Sequence, residues 1–338
     1  MQTIFTGRRV RLGLFIMAVL VALSLFGCGG AAGAGEAAGA PVMPTITARV
    51  ADGDRLRVVA TTGIIGDVVG QVGGEAVDLA VLMQPGQDPH GYQPGAADLA
   101  AAAGADLIFI NGWNLEEGLV GDLEAIGDAP LVPVSAGIRP RAPGGDEHAA
   151  RAADPHTWQD VANVRRWVEN VRQALGAADP ANAAAYDANA AAYDATLAAL
   201  DAELRETLAV IPPERRVLVT NHDNLGYFAA AYGFEVAGAI VPAGSTLAEP
   251  TAGALAQLAA VMRAEGLCTI IVETTAADQL ARALERELSG CDEVRLLTLY
   301  TDAPGPPGGG ADSYVGMMRA NAAALVEGLG EKGVDGSD

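Results

Sequence analysis

The chain has 338 residues, half of them hydrophobic, and a formal net charge of −21 at pH 7. Such a length suits two domains with substantial cores, and the apolar share excludes a disordered protein. A surface this acidic repels nucleic acid and anionic lipid headgroups and weakly attracts cations.

The first 27 residues stand apart. Arg8, Arg9 and Arg11 precede "LFIMAVLVALSLF", an apolar run of 13. That run is too short to span a bilayer and right for a signal-peptide core. It ends in "LFGC", which resembles a bacterial lipoprotein cleavage box, although Phe26 is bulkier than usual there. Residues 1–27 are therefore expected to be a lipoprotein signal peptide, with Cys28 carrying the lipid anchor. An ordinary export signal with an incidental cysteine is the alternative. Residues 28–55 are small and glycine-rich and read as a flexible tether.

From Leu56 short β-rich runs alternate with amphipathic segments of helical length. Strands are expected at 56–62, 76–83, 106–111 and 131–135, and helices at 63–73, 95–105, 114–127 and 158–179. They make an N-terminal lobe over 56–179. A loop rich in Pro, Gly and charge runs from 136 to 155. The stretch from Pro180 to Ile211 has no internal Gly or Pro, begins on proline and is closed by Pro212 and Pro213. It predicts one linking helix over 180–212, roughly 45 Å long. The alternation then restarts. Strands are expected at 215–221, 235–240, 268–273 and 293–300, and helices at 224–233, 249–266, 277–290 and 313–330. These form a C-terminal lobe over 213–332, with 333–338 as a tail. The predicted fold class is α/β: two lobes, each a mostly parallel β-sheet flanked by helices, joined by one long rigid α-helix.

In such sheets ligands bind beyond the carboxyl ends of the strands. His90 lies there in "DPHGYQP", His156 in "DPHTW", His222 in "NHDNLGYF" and Asp302 in "TDAPG". Taken singly, a loop histidine is a solvated residue and Asp302 a turn former. Taken together, three of the chain's four histidines occupy comparable strand ends, and each lobe contributes two of the four residues. Three imidazoles and a carboxylate in the inter-lobe cleft suit Zn²⁺ or a neighbouring divalent metal. Pro89 and Pro155 restrict the backbone and fix each imidazole's approach. Glu273, which ends "CTIIVE", is placed to accept a hydrogen bond from behind a ligand imidazole; a salt bridge or plain exposure is the alternative. His148, in "GGDEHAARAAD", is either a solvated loop residue or part of a weak metal-collecting flap. Tyr92 and Trp158 flank the first two histidines and are expected to pack the cleft wall. Export permits a disulfide between Cys268 and Cys291, each just ahead of a strand of the same half. Two buried free thiols are the alternative.

These motifs, in this order over about residues 56 to 332, resemble the solute-binding lipoproteins of bacterial zinc/manganese ABC transporters, the cluster A-I metal-binding family. "DPHGYQP", "DPHTW" and "NHDNLGYFAAAYGF" look like its three successive ligand motifs. "LYTDAPG" followed by "ADSYVGMMRANAAALVEGL" looks like its closing segment. The resemblance implies metal ligands at His90, His156, His222 and Asp302. It implies an extracytoplasmic monomer that captures an ion and hands it to an ABC permease and its ATPase. The third ligand in the family is His or Glu, and His222 leans toward zinc, manganese preferring more oxygen ligands. Family zinc carriers often have a His-rich loop before the second motif, whereas here that loop holds only His148. A manganese-specific carrier of the same fold and a surface adhesin are the alternatives in transport and adhesion. A zinc hydrolase is disfavoured by the lack of H-E-x-x-H and of a general base beside a ligand. The residues are therefore read as those of a binding protein rather than an enzyme.

Overall fold

Leu56, Val58 and Ala60 face one apolar core while Val59 faces another, so β1 (Leu56–Ala60) must be covered on both sides. The computed structural model describes residues 39–50, 54–142, 153–242 and 244–330. The expected signal peptide, Cys28, His148 and the 333–338 tail lie outside these residues. After β1 come α1 (Gly63–Gly73), β2 (Val77–Val81), α2 (Ala96–Ala103), β3 (Leu107–Ile110), α3 (Val120–Ile126) and β4 (Leu131–Pro133). The strands pair in the order β2-β1-β3-β4, all parallel.

Two helices follow, α4 (Val161–Ala178) and α5 (Ala183–Leu208). The second half then holds β5 (Val217–His222), α6 (Gly226–Tyr232), β6 (Glu235–Val241), α7 (Ala252–Glu265), β7 (Thr269–Glu273), α8 (Gln279–Glu287), β8 (Arg295–Leu299) and α9 (Tyr314–Leu329). Its sheet runs β6-β5-β7-β8, again all parallel. In both sheets the chain crosses over the first-formed strand, so the crevice beyond the strand ends opens beside β1 and β5.

Local chemistry sets the helix ends. The hydroxyls of Thr62, Thr251 and Ser313 accept the amides of Ile65, Ala254 and Gly316, and the Asp160 carboxylate accepts that of Ala162. Each removes one orphan donor of a first turn. Gly233 and Gly266 stop α6 and α7 in the left-handed conformation.

Three expectations change. The predicted helix over 114–127 starts only at Val120, because Gly112, Trp113 and Asn114 take successive positive φ values of 90°, 54° and 59°. A helix cannot include such residues. The linking helix is α5 alone, 26 residues and about 39 Å. Pro180 opens a separate tight turn ahead of it, and the chain peels away after Leu208 before Pro212 and Pro213, neither of which has an amide hydrogen to donate. The expected tether over 28–55 is not loose throughout. Met43, Ile46 and Val50 pack on the core, and the Arg49 amide donates to the Ala178 carbonyl at 2.7 Å.

α5 buries Tyr186, Ala190, Tyr193, Leu197, Leu200, Leu204 and Leu208, a stripe spaced by three and four residues. That stripe meets α4, α1 and α9. Asp67 of α1 ties the bundle by accepting from the Tyr193 hydroxyl and the Tyr314 amide. The apolar cluster on this side runs from Phe109 through Trp167, Tyr186 and Leu204 to Leu218 and Tyr314. The two halves therefore share one core, and the described residues fall in one compact unit.

Cys268 and Cys291 are joined by a disulfide that closes a segment of sequence separation 23. Cross-linking such a loop stabilises by about 3 kcal/mol on the chain-entropy account. Replacing both cysteines with serine should lower the urea-unfolding free energy by roughly that amount. An unchanged unfolding midpoint would rule out a stabilising role.

Candidate metal centre

The four residues singled out from their motifs come together. His90 sits in the loop after β2, His156 in the turn before α4, His222 at the end of β5 and Asp302 in the loop after β8. One ligand atom from each lies within 4.8 Å of all the others. All four side chains are buried, His156 and His222 completely.

The repeated Asp-Pro-His has a shared local geometry. Asp88 Oδ1 accepts the His90 amide at 3.0 Å, and Asp154 Oδ1 accepts the His156 amide at 2.9 Å. Each aspartate folds back over the proline and fixes where its histidine starts. Asp154 does more: its Oδ1 also accepts from His156 Nδ1 at 2.8 Å. Glu273 Oε1 accepts from His222 Nδ1 at 2.7 Å, reaching across from β7 to the neighbouring β5. Asp154 was not read from its motif as the acceptor behind His156. The Asp-x-His spacing in both motifs was the available signal.

With Nδ1–H given to a carboxylate, a neutral imidazole turns a lone pair outward at Nε2. The Nε2 of His156 lies 3.1 Å from the Nε2 of His222 and 3.1 Å from that of His90. Lone pairs that close repel unless a proton or a cation lies between them. Asp302 adds both oxygens, at 4.0 Å from His156 Nε2 and 3.7 Å from His222 Nε2. Asn224 is near enough to favour the charged carboxylate, but among the described residues neither Asp302 oxygen has a hydrogen-bond partner of proper geometry. Ligands 2.0–2.1 Å from a tetrahedral ion stand about 3.3 Å apart. The four atoms need only small adjustments to surround one divalent ion.

The electrostatics of these four groups follow from burial. Desolvation, reinforced by His156 and His222, lowers His90 to about 2. Desolvation also holds His156 far below the usual imidazole range. For His222 desolvation acts the same way, but the Glu273 and Asp302 carboxylates outweigh it and raise it to about 9. Burial raises Asp302 to about 8, against the pull of His222. These shifts favour a proton on His222 Nε2, facing the His156 lone pair, and a protonated Asp302 carboxyl.

The halves are pinned at this point. Trp158 Nε1 and Gln159 Nε2 donate to the Thr301 carbonyl at 2.6 and 2.9 Å, and the Tyr314 hydroxyl donates to the Trp158 carbonyl. Trp158 also meets the His156 ring edge-on, the wall role expected of it. Tyr92 instead points into the outer core, donating to Leu82 O and Asp98 Oδ2. A cavity of about 250 Å³ opens beside His222, lined by Asn221, Thr246, Glu249 and Leu280 among others. Above it the Thr246 hydroxyl donates to Asp88 Oδ2 at 2.5 Å, a bridge between the halves. A larger cavity, about 460 Å³, lies beside Cys268 at the opposite, amino ends of β5, β7 and β8. It takes no part in this cluster.

Residues 58–328 match the family described as "Zinc-uptake complex component A periplasmic" (ZnuA). The manganese-binding lipoprotein MntA of Halalkalibacterium halodurans is 33% identical over 280 residues, covering 83% of this chain and 90% of that protein. The zinc-binding protein TroA of Treponema pallidum is 34% identical over 288 residues, covering 82% of this chain and 90% of that protein. The TroA structure superposes with a TM-score of 0.76 over 82% of this chain and all of its own. The Mn-bound periplasmic metal-binding protein of Candidatus Liberibacter asiaticus superposes with a TM-score of 0.72 at 28% identity, over 82% of this chain and all of its own. With the family matched across both sheets and the buried His₃Asp cluster at their crevice, the chain belongs to the ZnuA family, the metal-binding solute-binding proteins of ABC importers.

Proposed function

We propose that His90, His156, His222 and Asp302 bind one Zn²⁺, which the protein captures outside the cytoplasmic membrane and delivers to an ABC permease and its ATPase. The observation that carries this reading is the convergence of three Nε2 atoms and two unpartnered carboxylate oxygens in a buried cluster. Such a set is costly without a cation or protons to neutralise its repulsions. Imidazole nitrogens suit zinc, and the spacing supports a tetrahedral ion. Four protein ligands leave no position for an activated water, which supports a carrier rather than a hydrolase. Cys28 would hold the mature chain, a monomer, at the membrane by its lipid. Residues 56–179 and 213–332 would act as the two lobes about the helix.

Manganese is the second reading, and Asp302 favours it. Both of its oxygens are free, so a bidentate contact would give a five-coordinate, more oxygen-rich shell. The names of similar proteins divide in the same way, TroA being called zinc-binding and MntA manganese-binding.

Metal analysis and competition calorimetry on the purified protein test both. One zinc per chain, not displaced by equimolar manganese, is the expected result. Displacement by manganese would move the assignment to that metal. No stoichiometric metal of either kind would overturn the function.

A further inference from the structure

Each imidazole of the cluster turns one nitrogen away from it, and two of the three give that nitrogen to a buried carboxylate: His156 to Asp154, His222 to Glu273. His90 is the exception. Its Nδ1 is buried and has no hydrogen-bond partner among the described residues, while Glu117 Oε1 stands 3.9 Å away. From this we infer that Glu117 is a positioning residue for the captured cation, accepting the Nδ1 proton of His90 once an ion is bound. It completes a third carboxylate–imidazole pair. The inference rests on the metal-binding reading above.

Proton placement accounts for the 3.9 Å separation of the pair. His156 spends its one ring proton on Asp154, so its Nε2 can only accept. His90 Nε2, 3.1 Å away, avoids facing that lone pair with its own only as the Nε2–H tautomer, sharing the acceptor with the His222 Nε2 proton. A neutral imidazole with its proton on Nε2 has a lone pair at Nδ1, and a lone pair does not draw a carboxylate closer. Binding an ion requires the opposite tautomer. The Nε2 lone pair goes to the metal, the proton formerly there leaves to solvent, and one is taken up at Nδ1. Nδ1–H now faces Glu117, and closing from 3.9 Å to about 2.8 Å makes a charge-assisted hydrogen bond.

The backbone is built so that only the Glu117 side chain need move. Glu116 is locked from below, its Oε1 accepting from the Thr61 hydroxyl at 2.6 Å and from the Asn111 amide at 2.7 Å. The preceding Gly112, Trp113 and Asn114 all have positive φ, and Trp113 is held where bulky residues seldom sit. That turn replaces the helical start the local sequence favours and presents Glu117 toward His90. The Glu117 side chain is 34% exposed, so it has room to turn inward.

Zinc titrations of wild type, Glu117→Ala, Glu117→Gln and Glu117→Asp test the role, together with NMR of the His90 ring. Loss of the acceptor behind a ligand imidazole weakens binding by about 10–100-fold, and Glu117→Ala should do so with one zinc per chain retained. Glu117→Gln keeps a carbonyl acceptor and should recover part of the loss. In zinc-loaded wild type the His90 Nδ1 proton should exchange slowly, and in Glu117→Ala quickly. The metal-free forms should melt together. Equal zinc affinity in wild type and Glu117→Ala, or identical Nδ1 exchange, overturns the role of Glu117 and leaves metal binding standing. Failure of wild type itself to bind zinc overturns both.

Discussion

Replacing His222 with alanine should abolish stoichiometric metal binding and also destabilise the metal-free protein by about 3–5 kcal/mol. The second effect is the less obvious one. Glu273 is buried, and its Oε1 accepts both the ring proton and the amide of His222. The charged imidazole lowers the Glu273 pKa, opposing a burial that would raise it. Removing the ring leaves a buried carboxylate without its cation. A His222→Ala/Glu273→Gln double variant should therefore regain most of the stability and none of the metal binding. Urea unfolding and metal content measure the two effects separately. A single variant that keeps one tight metal per chain would remove His222 from the ligand set. A double variant no more stable than the single one would refute the buried-pair account.

Metal affinity should rise steeply with pH and level off only above about 9. The sign follows from the two groups raised in the free protein, His222 to about 9 and Asp302 to about 8. Both carry protons at neutral pH, and both must lose them to coordinate an ion. Protons thus compete with the metal, and the competition strengthens as pH falls. Each proton released contributes roughly a tenfold change in affinity per pH unit. Near pH 7 close to two protons should leave, between the two pKa values about one, and above both none. His90 and His156, already neutral, add nothing to the slope. Calorimetry in buffers of different ionisation enthalpy counts the protons directly. Pure ligand competition through the ordinary histidine range would instead flatten above pH 7, and that profile would refute the shifted values.

The shared core bears on how the protein opens. Phe109 and Tyr314 belong to one apolar cluster, and Trp158 and Gln159 hold the Thr301 carbonyl beside Asp302. A wide hinge would break these together. Release of an ion is more easily accommodated by local change where the halves touch lightly, as at the Thr246–Asp88 bridge over the cavity beside His222.

Much of this was legible in the residues alone. Alternating strand and helix periods specify parallel sheets, because a strand apolar on both faces needs helices on both. The Asp-Pro-His repeats, His222 and Asp302 stood out because histidine is so scarce and strand ends are where such sheets bind. The start of α3 was misread because the pattern over 114–127 is helical, while the backbone there answers to Glu116 and its partners Thr61 and Asn111. The linking helix was overextended because Pro180 to Asn182 and Ala209 to Ile211 carry no glycine or internal proline to mark where the helical bonding stops.

What the sequence determined by itself was the fold class, the order of elements and the four residues of the cluster. These depend on local periodicity and on residue chemistry, both carried by neighbours in the chain. The tertiary structure decided which nitrogen each histidine presents. The His222–Glu273 bond joins residues 51 apart, and its existence follows from β5 and β7 being neighbours in the sheet. It also decided that Asp154 backs His156, that Glu117 stands near His90, and that the halves share one core. Strand order and side-chain direction arise from packing the whole chain at once, and no window of sequence carries that information.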